Sequence, residues 1–373
     1  MFDVAIIGAG MAGASVAAEL AAHCSLVMLE REAMPGYHAT GRSAAFWDEC
    51  YGGPLVQPLT RASHAFLLNP SADFSPNSLL NRRGVLYLGR AEERDDLEAH
   101  VAGFGGRVRL EWLDRALLEG RIKGLKPEWV AGVFGADCSD IDVGALHGGY
   151  LRAASKHGAK LTCNAAITAL NRQDDHWQID VSGETVRART LVNAAGAWAD
   201  PVALLAGAQP LGLQPYRRTV VQLRTTPKAE ADLPLVIHIG GDFYFKPETS
   251  GQLWASPHDE TPSEPCDAAP EELDVAVAID AYSRVVDCTI DAVTHRWAGL
   301  RTFAPDRLPV YGFDPAVPGF FWCAGQGGFG IQTAPAAAKL CAALILDQPP
   351  APEIADIEAA LYSPARFVAI SVP

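Results

Sequence analysis

Three glycines and one carboxylate have the types and spacing to hold a dinucleotide. They are Gly8, Gly10 and Gly13, in Gly8-Ala-Gly-Met-Ala-Gly13, and Glu30, 22 positions after Gly8. Gly8 permits a sharp exit from a strand, Gly10 lets the backbone approach a pyrophosphate, and Gly13 lets the next helix pack on the sheet. Free N–H groups at that helix start, with the helix dipole, attract phosphate. A carboxylate at position 30 can accept from ribose hydroxyls and repels a 2′-phosphate. The flanking sequence supplies the elements that must position these groups. Val4-Ala-Ile-Ile7 is an apolar strand, the alanine-rich run to Ala22 a helix, and Leu26–Leu29 a second strand. This βαβ unit does not by itself separate FAD from NAD.

The same design returns near the far end. Gly319–Ala324 reads as a strand, Gly325-Gln-Gly-Gly-Phe-Gly330 as a glycine loop, and Ile331-Gln332-Thr333 as the opening of a helix reaching about Leu346. A group held from both ends of the chain suits a bound prosthetic group better than a coenzyme that leaves at each turnover. That favours FAD.

Between the two loops the sequence predicts two kinds of structure. Residues 31–45 form a loop whose small residues at 39–45 look like a helix start capped by Ser43 or Thr40. Residues 54–69 read as helix, 82–88 as a strand, and 92–131 as a charged, helix-rich layer. Asp142 caps a further helix, and residues 177–187 alternate as a hairpin about Ser182-Gly183. Leu191–Asp200 is a buried strand entering a small-residue turn. From about Gly212 to Thr294 long strands dominate, with a helix from Val275 to Val286.

At 373 residues the chain is long enough for two domains, and 49% apolar with 20% charged content is that of a globular protein. The net charge of −14 argues against nucleic acid and gives no support for docking on anionic lipid. No run of about 20 apolar residues predicts a membrane span. The first strand begins by residue 4, leaving no room for a signal peptide, so a cytoplasmic protein is expected. The eight cysteines are scattered without a C-x-x-C pair, which predicts reduced thiols and no metal site.

Several segments together resemble the D-amino-acid oxidase (DAO) superfamily of flavoproteins. They are Gly8–Gly13 with Glu30-Arg31, Thr40–Ala45, Asn193-Ala-Ala-Gly196, Trp297–Arg301 and Gly325–Gly330. Pro35–Ser43, Leu211–Pro215 and Gly327–Thr333 look most like the bacterial D-arginine dehydrogenases. The resemblance covers essentially the whole chain. It implies an α/β fold: a glutathione-reductase-like, Rossmann-type FAD-binding domain from residues 1–80, 142–211 and 295–373, and an antiparallel-sheet substrate-binding domain from 81–141 and 212–294. The implied FAD contacts are Gly8, Gly10, Ala12, Gly13, Glu30, Arg31, Ala39, Thr40, Gly41, Arg42, Ser43, Ala44, Ala45, Phe46, Ile167, Ala195, Gly196, Gly327, Gly328, Phe329, Gly330, Ile331 and Gln332. Members with covalent flavin use a cysteine in the loop after the segment resembling Trp297–Arg301. Residues 302–308 have none, so a noncovalent FAD is expected.

The resemblance also implies oxidation of an amino acid at Cα. A guanidinium fork suits the substrate carboxylate. Arg217 and Arg301 match the family positions, with phenols from Tyr51 and Tyr244, and the Gly328 carbonyl is placed to accept from the amine. Arg217 and Arg218 alternate on one strand, so one faces in and the other out. Where D-arginine dehydrogenases carry a glutamate for the guanidinium, this chain has Gly84. Phe46 and Asp48 replace a histidine and a threonine, and Asp48 could supply a carboxylate or bind the amine. A neutral or aromatic D-amino acid is therefore expected rather than D-arginine. Glycine, sarcosine, another secondary amine or an L-2-hydroxy acid stays open, as does a non-catalytic FAD-binding subunit. The electron acceptor, whether quinone, another carrier or oxygen, is also open.

Overall fold

The computed structural model describes residues 1–248 and 250–370, so the last three residues of the 295–373 segment lie outside the described residues. The opening unit forms as expected, with β1 (Phe2–Ile7), α1 (Met11–Leu20) and β2 (Leu26–Leu29). β1 lies parallel to β2 on one side and to the strand Glu184–Asn193 on the other. That strand pairs in parallel with Phe320–Ala324, within an eight-stranded sheet. Val4 and Ile6 pack into one layer with Leu20 of α1 and Leu340 of the helix Ala334–Leu346. Ala5 and Ile7 face the other layer with Trp177 and Trp322. Covering both faces is what lets a parallel sheet carry nearly continuous apolar strands.

A nine-stranded, mainly antiparallel sheet makes the second layer system. Its longest strands, Gln214–Thr226 and Thr289–Phe303, pair along most of their length, with Tyr216 opposite Arg301 and Arg218 opposite Gly299. The second of these runs through residue 295, where the sequence suggested a change of domain. The strand period of two sends Val221 and Leu223 toward the helix Glu272–Val285, while Arg218 and Val220 point to the opposite face and a cavity. A small sheet joins Phe46–Trp47, Leu80–Arg82 and Ser139–Ile141.

Three local expectations need correction. Residues 39–45 form turns, not a helix start, and the Thr40 hydroxyl instead accepts from the Met11 N–H of α1 at 2.9 Å. The C-terminal helix begins at Ala334, because residues 327–333 are used in turns beside the cavity. The 92–131 region carries two helices, but Glu111–Asp114 and Trp129–Gly135 are strands of the nine-stranded sheet.

Gly13 shows how tightly the opening turn is built. A Cβ there would run into the Gly8 carbonyl and sit 3.3 Å from Ile6 Cγ2. Gly13→Ala should cost about 3 kcal/mol, read as a lower denaturation midpoint. An unchanged midpoint would mean that α1 can lift off the sheet.

Candidate active site

One elongated cavity of about 350 Å³ links the glycine turn to the antiparallel sheet. At one end lie Gly8, Gly10, Glu30, Arg31, Ile167 and Trp198; at the other lie Arg218, Tyr244, Arg301 and Gly328. Glu30 is buried at the end of β2. Its Oε2 accepts from Ala9 N at 2.8 Å and its Oε1 from Glu32 N at 3.0 Å, so the carboxylate also fixes the glycine turn. Each oxygen keeps a second acceptor direction.

These residues fit FAD. The adenosine end has a carboxylate, a helix N-terminus and close backbone approach. At the far end, a Cβ on Gly327 would collide with the Phe303 ring, and one on Gly328 would lie 2.9 Å from Tyr51 Oη and 3.0 Å from Arg301 Nη1. Backbone alone can pass between the cavity and the charged cluster.

Of the expected cofactor contacts, Ala12, Ala39, Thr40, Arg42, Ser43, Ala44, Ala195, Gly196, Gly330 and Ile331 also line the cavity. Gly13, Gly41, Ala45, Phe46, Phe329 and Gln332 do not. Gly13 packs under Gly8, and Gly41 closes a turn on the Gly36 carbonyl. Ala45 joins the cluster around Trp47 and Leu146. Phe46 stacks edge-on to Tyr51, and Phe329 packs against Phe303. The Gln332 side chain accepts from Asp48 N at 3.1 Å and donates to Tyr51 O at 2.9 Å and Thr60 Oγ1 at 3.0 Å. It clamps the loop that carries Tyr51.

Arg217 is the main departure. It points at the helix Glu272–Val285, pairing with Glu271 and, at 3.0 Å, with Asp274. Alternation places it on the face of Val221 and Leu223. Arg218 takes the position in the cavity, and the alternation noted in the sequence was the signal for it. Register then makes Arg218 and Arg301 diagonal neighbours on one sheet face, roughly 7–8 Å apart at the backbone.

Arg218 is 4% exposed. Its Nε donates to the Asp259 carbonyl at 2.7 Å, and its Nη1 has no partner. Burial, with Arg301 nearby, pulls its pKa down to about 10. Arg301 Nη1 donates to Tyr51 Oη at 2.7 Å, which leaves the Tyr51 proton free to point elsewhere. The buried Tyr244 hydroxyl has no partner. Arg218, Arg301 and Tyr244 thus offer donors to one small space, and Tyr51, outside the cavity lining, holds Arg301. Such a set is matched by a carboxylate.

Asp48 does not serve this space. It is buried, and its carboxylate accepts from Tyr87 Oη and from Cys50 N. Burial pushes its pKa up to about 6, against the Tyr87 hydrogen bond. The native state therefore holds this proton more tightly than the unfolded chain. Its stabilising contribution is complete below about pH 4 and is lost as pH rises through 6.

Asp48→Asn, which keeps both contacts, should gain on the order of 2 kcal/mol over wild type at pH 8 and little at pH 4. Equal midpoint differences at both pH values would contradict this. Arg218→Ala should weaken binding of acetate to the FAD-loaded protein by about 2–5 kcal/mol, followed by flavin absorbance. Arg217→Ala should leave acetate affinity unchanged.

Among the described residues no helix is long and apolar enough to cross a membrane, and no group of His, Cys, Asp and Glu could hold a metal ion. The family model for FAD dependent oxidoreductases (DAO) matches residues 3–344. Glycine oxidase of Geobacillus kaustophilus is 24% identical over 368 residues, covering 92% of this chain and 93% of that protein. Mitochondrial dimethylglycine dehydrogenase of Mus musculus is 26% identical over 254 residues, 62% of this chain but only 29% of that longer protein. The crystal structure of the G. kaustophilus glycine oxidase superposes with a TM-score of 0.83 at 23% identity, covering 95% of this chain and 97% of that one. L-proline dehydrogenase from P. horikoshii gives 0.84 at 18% identity, covering 100% and 99%. The fold, the cavity and the match over residues 3–344 agree: the chain belongs to the DAO family of FAD-dependent oxidoreductases.

Proposed function

We propose that the protein oxidises a small neutral D-amino acid at Cα, giving an imino acid that water hydrolyses to a 2-keto acid and ammonia. The observation that carries this reading is the donor set at the cavity end: Arg218 with an unpartnered Nη1, Arg301 and the unpartnered Tyr244 hydroxyl, with Tyr51 on Arg301. Arg218 and Arg301 would grip the carboxylate, with the two phenols completing its shell. The Gly328 backbone carbonyl would accept from the amine. Bound FAD, held noncovalently, supplies the acceptor for the Cα hydride. The chain's part is to fix the carboxylate, aim the Cα–H and keep water out.

Two features favour a small, uncharged side chain. Asp48, the acid the sequence offered to match a cationic tail, is committed to Tyr87 and Cys50. Tyr244 lines the cavity and is buried in one cluster with Phe46 and Tyr87, so a bulky side chain reaching past Tyr244 would meet packed rings. The D configuration rests on the sequence resemblance to D-arginine dehydrogenases. Oxidation of glycine or an N-methylated glycine is the second reading. The packed rings behind Tyr244 support it, and so do the names of the relatives, glycine oxidase and dimethylglycine dehydrogenase.

Anaerobic mixing of the FAD-loaded protein with D-alanine, glycine, sarcosine, D-phenylalanine, D-arginine and L-alanine tests this. D-Alanine should bleach the flavin fastest, well ahead of D-phenylalanine and D-arginine. Faster bleaching by glycine or sarcosine would select the second reading. Bleaching led by D-arginine would overturn both.

A further inference from the structure

His147 is a buried ionisable side chain to which the cofactor site has so far given no role. It lies on the helix Val143–Lys156, beside Leu146 and close to Tyr150, and is 9% exposed. It does not line the cavity but reaches the glycine turn through one bond. Its Nε2 lies 2.8 Å from the Ala9 carbonyl oxygen. A carbonyl can only accept, so Nε2 carries the proton and donates. Burial keeps the ring below its ordinary pKa, against the pull of that bond and of the Glu30 charge, so the donor is a neutral imidazole.

The turn is held peptide by peptide. Glu30 Oε2 accepts from Ala9 N at 2.8 Å and fixes the peptide between Gly8 and Ala9. Thr40 Oγ1 accepts from Met11 N at 2.9 Å and fixes the peptide between Gly10 and Met11. Between these two stands the Ala9–Gly10 peptide, which His147 holds by its carbonyl. That peptide is trans, and in a planar trans peptide the C=O and N–H point in opposite directions. With the Ala9 carbonyl on His147, the Gly10 N–H points away from the ring. It has no hydrogen-bond partner among the described residues, and Gly10 lines the cavity. The N–H groups on either side, of Ala9 and Met11, are already taken. The turn thus keeps one free donor ahead of α1, and His147 sets its direction.

The same ring supports the loop that brings Thr40. Gly36 has φ +76°, and a Cβ there would lie 2.9 Å from His147 Cε1 and 3.1 Å from Nδ1. Only a glycine lets that loop rest on the imidazole.

We propose that His147 is a positioning residue for the cofactor pyrophosphate. By holding the Ala9 carbonyl it keeps the Gly10 N–H turned to the cavity, where a phosphate oxygen can accept it. Without that donor the Ala9–Gly10 peptide is free to rotate and to present its carbonyl to an anion, which opposes binding. The effect falls on phosphate-bearing ligands, while Glu30 still serves the ribose of any adenosine.

Full-length protein freed of FAD is titrated calorimetrically with FAD, ADP and adenosine. His147→Leu should bind FAD and ADP about tenfold more weakly than wild type, with adenosine affinity unchanged. His147→Gln carries an amide N–H where the imidazole has Nε2–H, and it should restore both losses. His147→Asn carries its amide nearer the backbone, short of the Ala9 carbonyl, and should behave as His147→Leu does. If the leucine variant fails to fold, the contrast between glutamine and asparagine decides alone. Equal ADP affinity in those two variants would overturn the assignment. So would losses of the same size for ADP and adenosine, which would make His147 a packing residue only.

Discussion

A buried guanidinium, Arg218, and a half-buried one, Arg301, on one face of a sheet, without a carboxylate between them, are the constraint on which the functional end of this protein depends. Burial first, and then the like charge of Arg301, lowers the pKa of Arg218, so the cost of a poorly solvated pair of cations falls on Arg218. The nearby carboxylates reach Arg218 only loosely, Asp259 at 3.7 Å and Glu260 at 3.5 Å, because their stronger bonds lie elsewhere. Asp259 is tied to Thr219, Glu260 is shared with Arg307 at the rim, and Asp48 faces Tyr87. In the proposed reading an anionic ligand would complete the site, and discrimination would follow because only a group that can take several donors at once would replace the missing counter-charge.

The rest of the molecule keeps that site in register with the cofactor end. The glycine loop after Phe320–Ala324 runs between the two sheets, with Gly327 against Phe303 and Gly328 against Tyr51 and Arg301. Gln332 ties the loop to the backbone of Asp48 and Tyr51, so the phenol on Arg301 is positioned by the same segment that lines the cavity. At the other end Glu30 stitches β2 to the glycine turn, and Thr40 caps α1 from a separate loop. Short polar bonds from distant segments thus hold a cavity spanning both sheets.

Much of this was legible in the sequence where local rules and tertiary demands coincide. Gly8 to Glu30 is a self-contained unit, and its pattern determined β1, α1 and β2. The second glycine loop was also readable. What could not be read depended on which face of an element turns inward. Arg217 and Arg218 are adjacent, and only the packing of Val221 and Leu223 on the helix Glu272–Val285 decides between them. The small residues at 39–45 suggested a helix start because nothing local shows that Thr40 serves α1 instead.

The measurement that bears most directly on the central claim is a crystal structure of the FAD-loaded protein with acetate bound. The account predicts the carboxylate between Arg218 and Arg301, within hydrogen-bonding distance of Tyr244 Oη, with Arg217 still on Glu271 and Asp274. A carboxylate bound elsewhere in the cavity, or a strand rotated to bring Arg217 inward, would contradict it.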